Sequence, residues 1–359
     1  MYIKLLIINM LFGLIWILGE LLFGFTVEAI KAFLFYYIVP FSVLLFIPLK
    51  SEYLRRVLFV IAFIVSLSCI IEFIVLNIYP GYPQGLYIMS KYLSGMVRDT
   101  GEVFFSRKGL LYCANGITFW KHDSGNILAM MFVYIGGYAI HYKKGLPIYL
   151  FVFFVFIGLL CTISIANIIA SLVGMTFLLL MTAKARFGRV IFSIIMMLVV
   201  FYYLQAEFEI FAQVAPDFDP DGSAMETLTS LGNSSFSHKL VSILFGHERL
   251  SGFSDLGEFT EVALLKMLTQ MGIITFSVFM FVTGFPLYLF LSSNKYLRIK
   301  MIVPAITVFT GLLTLWHYGS LYRSTSIFLF FAFSSIILKK YVSVDCVNIK
   351  NQNTFSLKI

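Results

Sequence analysis

The chain has 359 residues, of which 60% are hydrophobic and 12% charged, with a formal net charge of +8 and a mean hydropathy of +0.93. A soluble domain carries about 25% charged residues, so these figures exclude an ordinary soluble globular protein. The basic excess does not point to nucleic acid either, because the cations gather in short connections between apolar runs, where membrane topology accounts for them.

In chain order the apolar stretches are 5–27, 32–49, 57–78, 126–142, 146–162, 165–182, 190–206, 262–291, 301–317 and 324–341. About 20 residues cross the hydrocarbon as a helix, and only closed secondary structure survives there. The pattern predicts an all-α polytopic membrane protein of about ten transmembrane helices. The first stretch, after Met1–Lys4, is too long for a signal-peptide core and shows no small-residue cleavage site, so it is read as a span. Only Ile163-Ser164 separates 146–162 from 165–182, and 262–291 is long enough that its ends must project or tilt. Helices 1–3 fill 1–78, a loop covers 79–125, and helices 4–7 occupy 126–206. A second loop covers 207–260, helices 8–10 occupy 261–341, and a polar, loosely ordered tail covers 342–359.

Charge orients these spans. One side collects Lys4; Lys50, Arg55 and Arg56; Lys143 and Lys144; Lys184, Arg186 and Arg189; Lys295, Arg298 and Lys300; and Lys339, Lys340, Lys350 and Lys358, which are 16 of the 26 basic residues. Cytoplasmic connections are rich in Lys and Arg, so both termini are placed inside and the two long loops outside. Loop 79–125 is net +2, with five basic residues against Asp99, Glu102 and Asp123. Loop 207–260 is net −7, with nine acids against Lys239 and Arg249.

Ionisable groups within spans are functional candidates by default. Glu20 and Glu72 each lie about 10 Å inside an outer span end at the helical rise. An outward cavity, a carboxyl kept neutral, or pairing within the bundle would accommodate them. Lys266 can snorkel to the outer interface. Arg98, Arg107, Arg249 and Arg323 lie outside or at the rim, and their planar, permanently charged forks suit phosphate. His317, with Tyr318, Tyr322 and Arg323, forms a short outer turn in which the imidazole can serve as a base. Glu248 adjoins Arg249, and Glu258 and Glu261 share a helix face where carboxylates also suit the macrodipole. Asp123-Ser124 reads as the N-cap of the span at 126. Asp217, Asp219, Asp221 and Gly222 match the first half of a calcium loop, but position 12 is Leu228 and Pro220 interrupts it. Calcium stays open there, and no metal is assigned. Cys113 and Cys161 could pair outside the cell, though unpaired thiols are the preferred reading. No nucleotide-binding loop, serine elbow, His-Glu-x-x-His or Cys-x-x-Cys is present.

This organisation resembles the Wzy-type O-antigen or capsule polymerases of bacterial inner membranes, which share a broad group with the O-antigen ligases. Three stretches carry the likeness: Cys113–Gly116 through Trp120–Asn126 before a span, Glu258–Glu261 leading to Gly272-Ile273, and His317-Tyr318 before the last span. Arg98 and Gly109 also have the Arg-x10-Gly spacing of some members, whereas Arg249 meets Thr260 at that distance, so a second copy is missing. The resemblance implies a GT-C-like bundle acting on glycan repeat units linked to undecaprenyl pyrophosphate. It implies no cofactor or metal, membrane lipid and a chain-length regulator as partners, and no nucleic acid. Arg98, Arg107, Arg249 and Arg323 would hold the diphosphate. Glu248, Glu258 or His317 would take the acceptor proton, and Glu20 and Glu72 would line the outward side of the bundle. An O-antigen ligase with a lipid A core acceptor is the near alternative. A lipid-linked oligosaccharide flippase or transporter is the other, although internal repeats and mid-membrane helix breaks would then be expected.

Overall fold

The structure, a computed structural model, describes residues 2–23, 30, 33–78, 107, 108, 111–118, 121–142, 145–182, 263–314 and 326–355. Its helices are α1 (Tyr2–Phe23), α2 (Ser42–Phe46), α3 (Ser51–Ile78), α4 (Lys121–His141), α5 (Leu146–Cys161), α6 (Ile165–Thr182), α7 (Ala263–Ser292), α8 (Lys295–Leu313) and α9 (Ser326–Phe355). A π-turn, Leu34–Ile38, and a 3-10 turn, Val39–Phe41, lead into α2. Strand pairing among the described residues is confined to β1 (Arg107–Lys108) against β2 (Leu111–Tyr112). This is an all-α membrane protein: Ser51–Ile78, Ile165–Thr182, Met271–Ser292 and Lys295–Leu313 are long and apolar enough to cross a bilayer. On α3 the side chains left exposed include Val60, Phe63 and Ile71, as a lipid-facing surface requires.

Several boundaries depart from the sequence reading, each for a local reason. The stretch 32–49 is not one regular helix, because Pro40 lies in the middle of it. Helix α4 begins at Lys121 rather than 126, so Asp123 and Ser124 sit inside its first turn and are not its cap. The N–H of Lys121 is instead accepted by Asn115 Oδ1 at 3.0 Å, a cap supplied from six residues back. Helix α7 is interrupted at Gly272, whose φ of +71° a side chain would resist. The apolar crossing is then Met271–Ser292, which removes the excess length. The polar stretch 342–355 is not a loose tail but continues α9 as helix. The break at Ile163-Ser164 is present, between α5 and α6. The stretch 190–206 and the loop 207–260 lie outside the described residues.

The chain divides into two units. In the first, α1 packs on α7 and α7 on α8. Tyr2 stacks on Phe285, Trp16 meets Tyr37, and Tyr36 meets Phe279 edge to face. Two prolines shape its hydrogen bonding. Pro40 has no N–H to offer the carbonyl of Tyr36, four residues back, and Asn9 Nδ2 of α1 donates to it at 3.0 Å. Pro304 likewise leaves the carbonyl of Lys300, which accepts from Lys340 Nζ of α9 at 2.5 Å. The neighbouring Lys339 Nζ donates to the carbonyl of Leu49 at 2.7 Å. Three basic connections of the sequence thus meet at one end of this unit.

The second unit comprises α3 from Arg55 onward, the hairpin, and α4–α6. Helix α4 is its centre, buried from Lys121 to Gly137 and packed on both α5 and α6. Phe59 and Phe63 of α3 pack on Phe151 and Phe154 of α5. Lower contact comes from Gly158, where a Cβ would lie 2.8 Å from Ser66 Cα, so the two backbones nearly touch.

Candidate functional site

The second unit has two chemically distinct ends. At one, the Arg55 guanidinium lies over the ring of Tyr138, 4.9 Å from its centroid. At the other, about 25 Å away by helical rise from Arg55 to Glu72, polar side chains of α3, α4 and the α5–α6 turn converge.

Glu72 anchors the second end. Its Oε2 accepts the main-chain N–H of Asn115 at 2.9 Å and of Gly116 at 2.5 Å. The next N–H, of Ile117, is accepted by Ser68 Oγ at 3.1 Å, one helical turn below. Three successive amides aimed at one side form a concave nest, two of them donating to Glu72 Oε2 and the third to Ser68 Oγ. Gly116 makes the nest possible: its φ is +62°, and a Cβ there would lie 2.6 Å from Cys69 Sγ. Asn77 brackets the preceding strand, accepting from Tyr112 N at 2.8 Å and donating to Tyr112 O at 3.1 Å. Glu72 of α3 therefore pairs within this unit, with the chain that leads into α4.

The first turn of α4 follows at once. Lys121, His122 and Asp123 are consecutive ionisable residues, all buried, with Ser124 and Asn126 fully buried beside them. Ser124 Oγ lies 2.8 Å from Thr118 Oγ1 and donates to Asn115 O at 2.5 Å. Lys121 Nζ lies 4.0 Å from Cys113 Sγ. His122 Nδ1 is 3.2 Å from Ser164 Oγ of the α5–α6 turn. Asn167 of α6 donates both to Ser164 Oγ at 2.8 Å and to the carbonyl of His122 at 3.1 Å. Gly125 permits this approach: a Cβ there would lie 3.0 Å from Ser164 Cβ. The turn that presents Ser164 carries Ile163 at a φ of +46°, a costly conformation for a β-branched residue. Cys69, Cys113 and Cys161 are buried at this same end, and none of them is in a disulfide.

Of the catalytic and substrate-binding candidates named from the sequence, Glu72 is the one whose side chain is described. For Glu20, Arg107 and Lys266 the description covers the main chain only, on α1, β1 and α7. Arg98, Arg249, Arg323, Glu248, Glu258 and His317 lie outside the described residues, as do Asp217–Asp221. Sequence reasoning met Lys121 and His122 only as part of the Trp120–Asn126 stretch and Ser164 only as an inter-span break, and it passed over Asn167. Three ionisable residues in a row directly before a span, and two polar residues in the shortest inter-span break, were the available signals. Among the described residues no cluster of three or more His, Cys, Asp or Glu could hold a metal ion. Comparison with protein-family models, curated proteins and solved structures gives no match.

Proposed function

We propose that this chain is a membrane glycosyltransferase of the Wzy type. It joins oligosaccharide repeat units, carried on undecaprenyl pyrophosphate, into O-antigen or capsular polysaccharide at the periplasmic face of the bacterial inner membrane. In this reading about ten helices cross the membrane, both termini are cytoplasmic, and 79–125 and 207–260 are periplasmic. The observation that carries the reading is the gathering of buried polar groups along 113–126, one of the three stretches that add to the resemblance. Polar and ionisable groups are costly in an apolar bundle and mark functional surfaces there. The opposite end of that unit carries Arg55, and Lys300, Lys339 and Lys340 share one end of the other unit. Both arrangements support the orientation through the cytoplasmic bias of basic residues.

The chemistry needs little beyond positioning. A hydroxyl of the acceptor sugar attacks the anomeric carbon of the donor glycan. The new C–O bond forms as the bond to the diphosphate breaks, and the electron pair leaves with undecaprenyl pyrophosphate. Arg98, Arg107, Arg249 and Arg323 would stabilise the charge that develops on the leaving group. The acceptor proton goes to a base, for which the loops offer Glu248, Glu258 or His317. The donor is already activated, so no nucleotide is consumed.

Deletion of the gene in its own host, with the surface glycan resolved on a gel beside the complemented strain, tests the reading. Loss of the ladder with a single repeat unit still on lipid A core is the expected result. Loss of every repeat, with units accumulating on undecaprenyl pyrophosphate, would favour a flippase or ligase. An unchanged ladder would sink the glycan reading.

A further inference from the structure

We propose that the basic end of the first unit holds an anionic phospholipid, with its headgroup phosphate at Lys295, Arg298 and Lys300 and an acyl chain along α7. The inference stands apart from the glycosyltransferase reading and needs only a chain embedded in a membrane. Lys295, Arg298 and Lys300 are exposed on the opening turns of α8, and its first turn carries no acid. Arg298 is fixed in place, because its guanidinium donates to the carbonyl of Leu291 near the end of α7. A guanidinium has five N–H donors, so one such bond does not exhaust the fork. The Lys300 ammonium stands over the ring of Tyr296, 4.1 Å from its centroid. Lys340 reaches the Lys300 carbonyl and Lys339 the Leu49 carbonyl, which brings two further cations and Lys50 to the same end. In this unit Glu52 is the acid whose side chain is described. The topological bias of basic residues places cations on one side of a membrane, but it does not require them to gather where they repel one another. A phosphate offsets that repulsion, and basic sites between helices at the membrane surface suit anionic head groups.

The apolar surface beside these charges gives the occupant its class. On α7, Phe281, Tyr288 and Leu291 are exposed, whereas Val282, Thr283, Phe285, Leu289 and Phe290 are buried. With Gly284 the exposed residues follow three- and four-residue spacing, so they form one stripe on one helix face. Gly284 has open space about its Cβ position, which leaves a gap between Phe281 and Tyr288. Both of those rings pack against Phe285, itself stacked on Tyr2 of α1, so the sides of the gap are held from within the unit. The stripe runs to Leu291, whose carbonyl positions Arg298. A slot between rings fits an acyl chain, and a guanidinium at its end fits the phosphate that heads such a chain. A free phosphate would use only the second feature.

The test melts the full chain, purified in a nonionic detergent, with increasing phosphatidylglycerol, phosphatidylcholine or glycerol phosphate. Phosphatidylglycerol should raise the melting temperature saturably, and the other two should not. Equal shifts with phosphatidylcholine would show that no anion is read, and equal shifts with glycerol phosphate that no chain is; either overturns the proposal. Lys295→Gln/Lys300→Gln keeps the carbonyl that Lys340 holds and removes two exposed charges. It should raise the phosphatidylglycerol concentration for half the shift by about 10- to 30-fold, and an unchanged half-point would overturn the proposal. If the double variant does not accumulate, salt decides with the unaltered chain. Added sodium chloride should weaken the phosphatidylglycerol effect by screening the headgroup, and an effect indifferent to salt would overturn the site.

Discussion

Lys340 Nζ donates to the carbonyl of Lys300, the group that Pro304 leaves without its helical partner. Asn9 stands in the same relation to Tyr36 and Pro40. The Tyr36 carbonyl is buried, where no water can satisfy it, and apolar packing alone discriminates weakly between helix registers. Each proline therefore creates a demand at one height on its helix, and a side chain of another helix meets it. The demand fixes which turns face one another.

This relation predicts a coupling. Lys340→Met should destabilise the protein by about 0.5–1.5 kcal/mol, the net worth of a hydrogen bond to an exposed carbonyl. In a Pro304→Ala background the N–H of residue 304 can serve Lys300 directly, and the same substitution should cost far less. A double-mutant cycle on thermal unfolding in lipid nanodiscs reads the difference, expected at about 0.5–1 kcal/mol. Equal costs in both backgrounds would show that Lys340 acts through something other than this carbonyl.

Glu72 and Gly116 lead to a second prediction. Glu72→Ala removes the single oxygen that accepts from both and so strands two main-chain amides, at about 1–3 kcal/mol each. Glu72→Gln retains an accepting oxygen and should cost less. Gly116→Ala combines a left-handed φ with a clash at Cys69 Sγ, so it should destabilise by about 1–2 kcal/mol. Hydrogen exchange of residues 115–117 is the measurement. Faster exchange in Glu72→Ala than in Glu72→Gln is expected, and unaltered protection in Glu72→Ala would remove the nest from the account.

These residues also show what the sequence could convey. Apolar stretches are legible because hydropathy sums over a whole helix, and the short break at Ile163-Ser164 is legible because length forces it. The start of α4 was not, because its cap is Asn115, outside the local window in which Asp123 is the obvious choice. Glu72 stood out as a charge in a span, but main-chain amides 43 and 44 residues away hold it, and those carry no side-chain signature. Pro304 was visible, whereas the lysine that compensates it lies 36 residues on. His122 was counted as loop because the polar Lys121–Asn126 run lowers local hydropathy, although tertiary packing buries all of it.

Close approach at Gly158 carries a third prediction. A methyl group there would press on Ser66 Cα at 2.8 Å, and backbone cannot rotate aside as a side chain can. Gly158→Ala should force α5 from α3 and cost about 1–3 kcal/mol. Gly284, with open space around its Cβ position, serves as the control, and Gly284→Ala should be neutral or mildly stabilising. Similar melting temperatures for the two variants would mean that α3 and α5 adjust freely.

The last prediction concerns the arginines of the proposed reaction. If Arg249 and Arg323 hold the departing diphosphate, Arg249→Ala and Arg323→Ala should abolish long-chain polymer without lowering the amount of protein in the membrane. A diphosphate offers several oxygens to a planar fork, and two parallel N–H···O bonds from one guanidinium fix its position as well as its charge. A lysine at either position restores the charge but only as a mobile point. Arg249→Lys and Arg323→Lys should therefore recover little of the ladder, leaving short chains at most. Full recovery by lysine would mean that long-range attraction suffices and that no fork is needed. Normal chain-length distributions from both alanine variants would take these residues out of the site, leaving the diphosphate to Arg98 and Arg107 of the first loop.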